Sequence, residues 1–298
     1  MQILVLGDVI LDIYLRGKIS RISPEAPVPV IKNATETYAA GGAANVAVNL
    51  ANIGEEVMLC GIVGNDDNGE KLKSVLSQTH VKYDLLQSEH LPTISKLRII
   101  ADYHHLARID HEYSFEQEAE RLFERVQNLS ADILILSDYN KGSVTHPEKI
   151  ITHFKNQGTK ILVDPKKSIS SYKGAWLIKP NRNEFVRYLG DFSSYNELID
   201  KAQKAICQYD IAQMLVTLGN EGMMYVNKET AEFYPARTQQ VADITGAGDT
   251  VLVGLAYGIS KGLSIHQSIL LAKTLAEISV TKVGTYVLTK EDLQQFNL

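Results

Sequence analysis

The sequence predicts an α/β fold, with a mostly parallel central sheet and helices on both of its faces. Short apolar runs of strand length lie at 3–6, 57–63 and 133–136, and each ends at a glycine or a polar residue. Segments with apolar residues at helical spacing, such as 147–156, lie between these runs. Strands that alternate with helices form parallel sheets covered on both faces, so the pattern indicates this architecture.

The remaining elements continue the alternation. Helices are predicted at 41–53, 67–78, 116–128, 197–209, 246–261 and 264–281, and Gly54 is the predicted C-terminal cap of the first. Further strands are predicted at 160–163 and 214–216. The 298 residues suffice for one large domain or two smaller ones, and because no flexible linker is visible we expect a single domain over 1–298.

Two segments depart from the alternation and read as exposed strands with one buried face. The segment 13–38 contains three prolines among β-branched residues, and 93–111 alternates apolar and polar residues. Together they predict a small sheet outside the main one, which could close over a substrate cleft as a lid or pair with another subunit. The alternative is a pair of long loops.

Composition and charge exclude several classes of protein. The net charge of −5 gives no indication of a nucleic-acid surface. The sequence contains no run of about 18 apolar residues, so it predicts no membrane span. Asp8 and Asp12 interrupt the first apolar run, so it does not resemble a signal peptide. Cys60 and Cys207 are predicted to be buried thiols in a reducing compartment, which favours a cytoplasmic protein.

The most informative stretch is the glycine-rich turn at 243–249, directly before a predicted helix. Gly246, Ala247 and Gly248 allow close approach of a ligand to the backbone, and the N-terminus of the helix would attract a phosphate. Asp249 would then be the general base that takes a proton from an attacking hydroxyl. The alternative is a turn in which Asp249 caps the helix.

Other nucleotide-binding signatures fit this turn poorly. A dinucleotide fingerprint requires a third glycine where Val251 stands, and it normally belongs to a first βαβ unit. No Gly-x-x-x-x-Gly-Lys-Ser/Thr loop occurs in the chain.

Candidate sugar-binding residues lie near the N-terminus. Asp8 and Asp12 follow the first strand, at the sheet edge where ligands of parallel sheets bind, and their carboxylates could accept hydrogen bonds from vicinal hydroxyls. Gly41 and Gly42 open the next predicted helix, where Asn45 could donate to and accept from a sugar hydroxyl. The alternatives are a turn capped by Asp8 and a tightly packed helix start.

Two further motifs suit a nucleotide. Asn181 and Glu184, three residues apart at a helix start, could hold hydrated Mg²⁺ beside phosphates, although the same spacing is typical of a capping box. Thr217, Gly219 and Gly222 end a strand and could line a nucleotide phosphate or base, although the pattern is also common in β-turns.

In their order and spacing these motifs resemble the pfkB, or ribokinase-like, family of carbohydrate kinases over essentially the whole chain. The run 243–249 is similar to the family's C-terminal signature, and 41–45 with the glycines up to Gly69 is similar to its N-terminal one. The resemblance implies a ribokinase-like fold, ATP and Mg²⁺ as cofactors, and Asp249 as base. It also implies that Glu184 binds the metal and that ATP is bound by Asn181, Glu184, Thr217, Gly219, Gly222 and Thr245.

A closer resemblance is to the branch that phosphorylates D-glycero-β-D-manno-heptose 7-phosphate, carried by 7–12, 21–30, 137–142 and 163–166. It implies ATP-dependent phosphorylation of the anomeric C1 hydroxyl to the 1,7-bisphosphate, a precursor of lipopolysaccharide core heptose. Candidate cations for the 7-phosphate are Arg21, Arg108, Lys141 and Lys166. Lys273 departs from the small or amide residue expected near the adenine.

The same resemblance bears on assembly. Enzymes of this branch often form the N-terminal half of a bifunctional protein, and no His-x-Gly-His nucleotidyltransferase motif occurs here, so we expect a stand-alone kinase or a separate kinase domain. A homodimer through the lid is expected, with no nucleic-acid or membrane partner. The alternatives are a kinase of the same fold for another sugar, sugar phosphate or nucleoside, and a catalytically inactive sugar-binding regulator.

Overall fold

Two sheets organise the chain in the computed structural model, which describes residues 1–102, 104–237, 241–282, 284–294 and 296. Tyr103, within the second predicted lid segment, lies outside the described residues. The strands are β1 Gln2–Gly7, β2 Val9–Ile22, β3 Pro29–Gly42, β4 Glu56–Gly64, β5 Lys82–Ser88, β6 Ser95–Ala101, β7 His104–His111, β8 Ile133–Ser137, β9 Lys160–Asp164, β10 Leu177–Ile178, β11 Gln213–Thr217, β12 Gly222–Asn227 and β13 Ala231–Pro235. The helices are α1 Ala43–Asn52, α2 Asp67–Ser77, α3 Ala119–Val126, α4 Pro147–Asn156, α5 Arg182–Leu189, α6 Tyr195–Gln208, α7 Ala247–Ser260, α8 Ile265–Ser279 and α9 Lys290–Gln294.

The main sheet has the order β13-β12-β11-β10-β9-β8-β1-β4-β5. Neighbours from β11 to β5 pair in parallel, and β12 and β13 add an antiparallel edge. The predicted mostly parallel sheet is therefore confirmed. The strands β5, β10, β12 and β13 were not predicted. The strands β5 and β13 are half-exposed at the edges of the sheet, β10 has two residues, and β12 begins Gly-Met-Met before its β-branched residue Val226.

The core lies on both faces of this sheet. In β1, Ile3 and Val5 belong to one apolar cluster, and Leu4 and Leu6 belong to the other. Residues of α1, α2, α7 and α8 complete the first cluster, and residues of α3, α4, α5 and α6 complete the second. Because both faces of the strand are covered, its sequence reads as a continuous apolar run rather than an alternation.

The second sheet has the order β3-β2-β6-β7 and confirms the predicted separate small sheet. Its two long strands, β2 and β3, pair antiparallel, while β6 runs parallel to β2. The root of β2, from Val9 to Tyr14, is buried, whereas every residue of β7 is exposed. The small sheet is therefore anchored at one end and reaches into solvent at the other.

One predicted boundary was wrong. Gly41 and Gly42 end β3, and helix α1 begins at Ala43. Gly42 has φ 58°, and a Cβ at this position would lie 2.4 Å from the Asp8 carbonyl oxygen. The chain therefore turns from the small sheet into α1 at a point where a side chain has no room.

Two further sequence expectations can be compared with the structure. Cys60 is buried as predicted, but Cys207 is exposed on α6. In the part of the chain that the structure describes, no helix is long and apolar enough to cross a bilayer.

Candidate active site

The start of α7 has the geometry that the glycine-rich turn predicts. Gly246 adopts a left-handed conformation, with φ 77°, and α7 begins at the next residue. Thr250 N–H donates to the Gly246 carbonyl, but the N–H groups of Gly248 and Asp249 have no hydrogen-bond acceptor among the described residues. Two backbone donors at the positive end of a helix can bind an anion.

Asp249 lies in this first turn with 5% of its surface exposed. Its Oδ2 accepts from Asn45 Nδ2 at 2.7 Å, and its Oδ1 accepts from the Tyr139 hydroxyl at 2.8 Å. Burial raises the pKa of Asp249 to about 6, against the hydrogen bond from Asn45, which lowers it. A carboxylate with a pKa close to neutrality is a suitable general base for a hydroxyl group.

Two lysines from the carboxyl ends of adjacent strands lie near the start of α7. Lys179, after β10, is 2% exposed, and its Nζ lies 3.2 Å from Asp164 Oδ1. A Cβ on Gly248 would be 3.3 Å from this ammonium. Lys166, after β9, forms an ion pair with Glu184. Burial opposes the charge of Lys166, but Asp164 and Glu184 outweigh it and raise its pKa. Both ammonium groups therefore add positive charge beside the anion-binding helix end.

The structure brings Asp12, Gly41 and Asn45 to the opposite side of Asp249. Asp12 lies in the buried root of β2, and a Cβ on Gly41 would be 2.7 Å from its Oδ2. Arg98 of β6 donates to Asp12 Oδ1 at 2.5 Å. Asn45 contacts the buried Asp249 carboxylate directly, and Asp12 and Gly41 of the small sheet lie next to each other, an arrangement that suits a sugar-binding wall.

Asp8 has backbone partners that the sequence did not predict. It is fully buried, and its oxygens accept from the backbone N–H groups of Tyr139, Lys141 and Ser143 at 2.8–2.9 Å. Burial raises its pKa, although these N–H groups lower it. Asp8 therefore shapes the loop after β8, and its predicted contact with a sugar hydroxyl stays a prediction.

The predicted nucleotide-binding residues meet at the ends of β10 and β11. Asn181 and Glu184 form a capping box at the start of α5, and Asn181 pairs with Thr217 through a parallel bridge. Gly219, with φ 64°, begins a short 3₁₀ turn after Leu218, and Gly222, with φ 123°, follows this turn. The capping box does not exclude a ligand, because the loop lies beside Lys166 and Lys179.

Two further residues that the sequence singled out form their polar contacts within the protein. Thr245 donates through its hydroxyl and its N–H to Asp243 Oδ1, which holds the turn before α7. Lys273 is buried in α8 and pairs with Glu277 at 2.9 Å. The unexpected charge of Lys273 is therefore neutralised by its own helix.

The four cations proposed for a distal phosphate are dispersed. Arg21 is exposed opposite Val30, nine residues beyond Asp12 and so about 30 Å along the strand, which places it outside this site within one chain. Arg108 pairs with Asp110, and Lys141 pairs with Glu112. Lys166 lies within electrostatic reach of Asp249, on the side of the predicted nucleotide loops.

Sequence reasoning missed several residues of the site. Tyr139 and Asp164 fall inside stretches that resemble the heptose branch, but no role followed from their types alone. Arg98 lies in a strand whose apolar and polar residues alternate. The alternation predicted which face of the strand carries Arg98, but it did not predict the ion pair with Asp12. Lys179 precedes Pro180, and nothing in the local pattern marks it as buried.

Comparison with known proteins agrees with this geometry. The model of the pfkB family carbohydrate kinases matches residues 1–292, and the chain belongs to that family. It is 43% identical over 299 residues to the "Bifunctional protein HldE" of Hydrogenovibrio crunogenus and 39% identical over 297 residues to that of Shewanella sediminis. These alignments cover 98–99% of this chain but 62% of each relative, so the chain spans less than two thirds of the length of these relatives.

Solved structures show the same fold at lower identity. Phosphofructokinase-2 from Escherichia coli, in complex with substrates and products, superposes with a TM-score of 0.81 at 20% identity, over 99% of this chain and 97% of that one. The ribokinase of Thermotoga maritima gives 0.74 at 20% identity, over 99% and 98%. The ribokinase-like fold is therefore confirmed, and family membership makes the protein an ATP-dependent carbohydrate kinase.

Proposed function

We propose that the chain transfers the γ-phosphoryl group of ATP to the anomeric C1 hydroxyl of D-glycero-D-manno-heptose 7-phosphate. The observation that carries the reaction type is Asp249, a buried carboxylate held between two donors at an anion-binding helix start. The choice of acceptor is supported by the four stretches that resemble the heptose branch and by the similarity to the HldE proteins along nearly the whole chain. The product would be the 1,7-bisphosphate.

In the proposed reaction Asp249 takes the proton of the C1 hydroxyl as the hydroxyl oxygen attacks the γ-phosphorus, and the bond from this phosphorus to the bridging oxygen breaks, so that ADP leaves. Each oxygen of a carboxylate has two lone pairs, so Asp249 can accept this proton while Asn45 and Tyr139 hold it in place. The N–H groups of Gly248 and Asp249, with Lys179, would stabilise the charge on the transferred group. Such preorganised donors usually contribute most of the rate acceleration in phosphoryl transfer.

The acceptor side is assigned to the small sheet and the start of α1. Asp12, Gly41, Gly42 and Asn45 would orient the sugar, and Arg98 fixes the carboxylate of Asp12. Lys166 fits the ATP phosphates better than the distal phosphate, since it is paired with Glu184 at the nucleotide loops.

The donor set fits Mg²⁺ that is held mainly by ATP and water. Glu184 accepts from Asn181 N–H and pairs with Lys166, while Asp164 Oδ1 is buried 3.2 Å from Lys179 Nζ without a directed hydrogen bond. Among the described residues no group of three metal-binding side chains is assembled. Mg²⁺ usually keeps several waters and takes one or two carboxylates, and when bound it would neutralise phosphate charge beside Glu184 and Asp164.

The small sheet is proposed as a lid and as the contact of a homodimer in the cytoplasm. On one face it carries Asp12 and Arg98, with Tyr14 between them on β2. The opposite face carries Leu15, Leu97, Ile99 and Ile109, and Ile109 is 44% exposed. An apolar face at the end of an exposed sheet favours a second copy as its cover.

An ADP-release assay across a panel of acceptors tests the proposal. Heptose 7-phosphate is expected to give the highest kcat/KM against ribose, fructose 6-phosphate and unphosphorylated heptose, because the stretches 7–12, 21–30, 137–142 and 163–166 resemble the branch that uses this acceptor. Equal or better use of an unphosphorylated sugar would overturn the acceptor and leave the kinase assignment intact. The Asp249→Asn protein, which lacks the base, provides the background rate.

A further inference from the structure

The loop after β8, at 138–143, approaches the glycine-rich turn at 243–249 from the side opposite α1. Its Tyr139 hydroxyl lies 2.8 Å from Asp249 Oδ1, and the face of its ring lies 5.6 Å from Lys166 Nζ. The side chain therefore contacts the proposed base and a cation of the nucleotide side at the same time. Proton transfer to Asp249 does not by itself require a tyrosine here.

The backbone of Tyr139 is held in place from below. Its N–H donates to Asp8 Oδ2 at 2.8 Å, and the following residue, Asn140, donates to Asp138 Oδ1 at 2.7 Å. Asp138 in turn accepts from the Tyr172 hydroxyl at 2.7 Å. Two buried carboxylates thus fix the loop, so the position of the Tyr139 phenol is set before any substrate binds.

We propose that Tyr139 is a positioning residue for the general base, with Asp8 as its anchor. Asn45 fixes one oxygen of Asp249 and Tyr139 fixes the other, so the plane of the carboxylate is defined by two donors from different elements. A carboxylate held in this way offers a fixed lone pair to the acceptor hydroxyl, and this alignment increases the rate. The inference rests on the proposed role of Asp249 as base.

The hydroxyl of Tyr139 also contributes to the pH at which the base becomes active. A hydrogen bond to a carboxylate favours its charged form, so this phenol lowers the pKa of Asp249 against the effect of burial. The other groups that face Asp249 are Asn45 from α1, Asp164 and Lys166 at the end of β9, and Lys179 at the end of β10. Their chemical identities are the same in a variant that lacks only the Tyr139 hydroxyl.

The experiment compares pH profiles of kcat and kcat/KM for the wild type, Tyr139→Phe, Tyr225→Phe and Asp249→Asn, with ATP and the best acceptor of the panel. Tyr225 is the matched control, because its buried hydroxyl donates to Gln213 at 2.7 Å on the opposite edge of the sheet. Tyr139→Phe is expected to move the acid limb upward by about one pH unit, which lowers kcat/KM about tenfold at pH values below the limb. Tyr225→Phe is expected to leave the limb in place.

The outcomes separate this inference from the function on which it rests. A Tyr139→Phe profile that superposes on the wild type, or that falls equally at every pH, would overturn the positioning role. If the Asp249→Asn protein is inactive in the same experiment, the assignment of Asp249 as the base still holds. Full turnover by the Asp249→Asn protein would contradict both the role of Asp249 as base and the positioning role of Tyr139. If Tyr139→Phe does not fold, Tyr139→3-fluorotyrosine is used instead. It keeps the shape and is a stronger donor, so the acid limb should move downward, and an unmoved limb would contradict the proposal.

Discussion

The carboxyl edge of the main sheet and the small sheet differ in how their polar groups are held. At the main edge, Asp8, Asp164 and Lys179 are buried, and their partners come from other strands and loops of the same body. On the small sheet, Arg108 and Asp110 pair with each other at a half-exposed surface. The first arrangement fixes charges at defined positions, whereas the second keeps charged side chains solvated.

The difference suggests how the two regions divide the work of the kinase. A general base and the donors to a transferred phosphoryl group must be placed to within a fraction of an ångström, which favours buried and fully paired groups. A wall that admits the acceptor and then covers it needs fewer fixed contacts, which is typical of lids. Asp12 joins the two regions, since it lies in the buried root of β2 and is held by Arg98 of β6.

The largest effect is expected from replacing the base. Asp249→Asn keeps the size of the side chain and should leave the fold and ATP binding nearly intact, while kcat falls by about 10²–10⁴-fold because the proton acceptor is lost. The measurement is steady-state ADP release, with ATP binding followed by calorimetry. Asp110→Asn on the small sheet is the control, and it should change kcat by less than about twofold. Near-normal turnover of the Asp249→Asn protein would contradict the assignment.

The next effect is on stability and concerns the anchor under the catalytic loop. Asp8→Ala leaves the N–H groups of Tyr139, Lys141 and Ser143 buried without acceptors. Because each unsatisfied buried donor costs about 1–3 kcal/mol, a loss of about 3 kcal/mol or more in the free energy of unfolding is expected. Urea denaturation measures it. Asp110→Ala should cost less than about 1 kcal/mol, and equal losses at both positions would mean that the two regions do not differ as described.

A third effect is the dependence on pH. Since burial raises the pKa of Asp249 to about 6, kcat/KM should fall about tenfold per pH unit below that value as the base becomes protonated. The sign for stability is opposite. The protonated form is favoured in the folded state, so this contribution to stability is present below about 3.8 and is lost as the pH rises through about 6. Thermal unfolding of the wild type against Asp249→Asn across this range checks the sign, and a parallel pair of curves would exclude the shift.

Most of the fold could be predicted because its signals are local. Apolar runs predicted the central strands, and the alternation at 93–111 predicted a separate strand pair. The signal of the glycine-rich turn at 243–249 is local as well, since its three small residues and Asp249 lie within one turn of a helix start. The start of α1 was misplaced because Gly41 and Gly42 fit a helix start equally well in sequence, and only the close approach of the Asp8 carbonyl makes them the end of a strand.

The partners of the site residues could not be predicted, because they lie far away along the chain. Tyr139 is 131 residues from Asp8 and 110 from Asp249, and Arg98 is 86 from Asp12. A carboxylate after a first strand suits a substrate hydroxyl and a backbone N–H equally well, so the sequence left both open for Asp8. In the structure its oxygens accept from backbone N–H groups, and the predicted contact with a sugar hydroxyl stays a prediction. The roles of Asp12, Asn45 and Glu184 stay predictions.

The smallest effect on stability, and the sharpest test of the small sheet, is expected from Ile109→Lys. Ile109 is 44% exposed on β7, opposite Leu97, on the face that points away from Asp12 and Arg98. A lysine at an exposed strand position should change the unfolding free energy of one chain by no more than about 0.5 kcal/mol. If this face is covered by a second copy, the same lysine places a charge in an apolar contact and should separate the dimer.

Sedimentation velocity at micromolar concentration distinguishes the two cases. The wild type is expected to sediment as a dimer and Ile109→Lys as a monomer, while the matched variant His104→Lys, at the exposed start of the same strand, stays dimeric. A monomeric wild type would contradict the dimer and leave the lid role to be tested by kinetics. In that case Ile109→Lys should have the same KM for the acceptor as the wild type, because the polar face with Asp12 is unchanged. If the wild type is a dimer and the Ile109→Lys protein is also a dimer, the subunit contact lies elsewhere on the molecule.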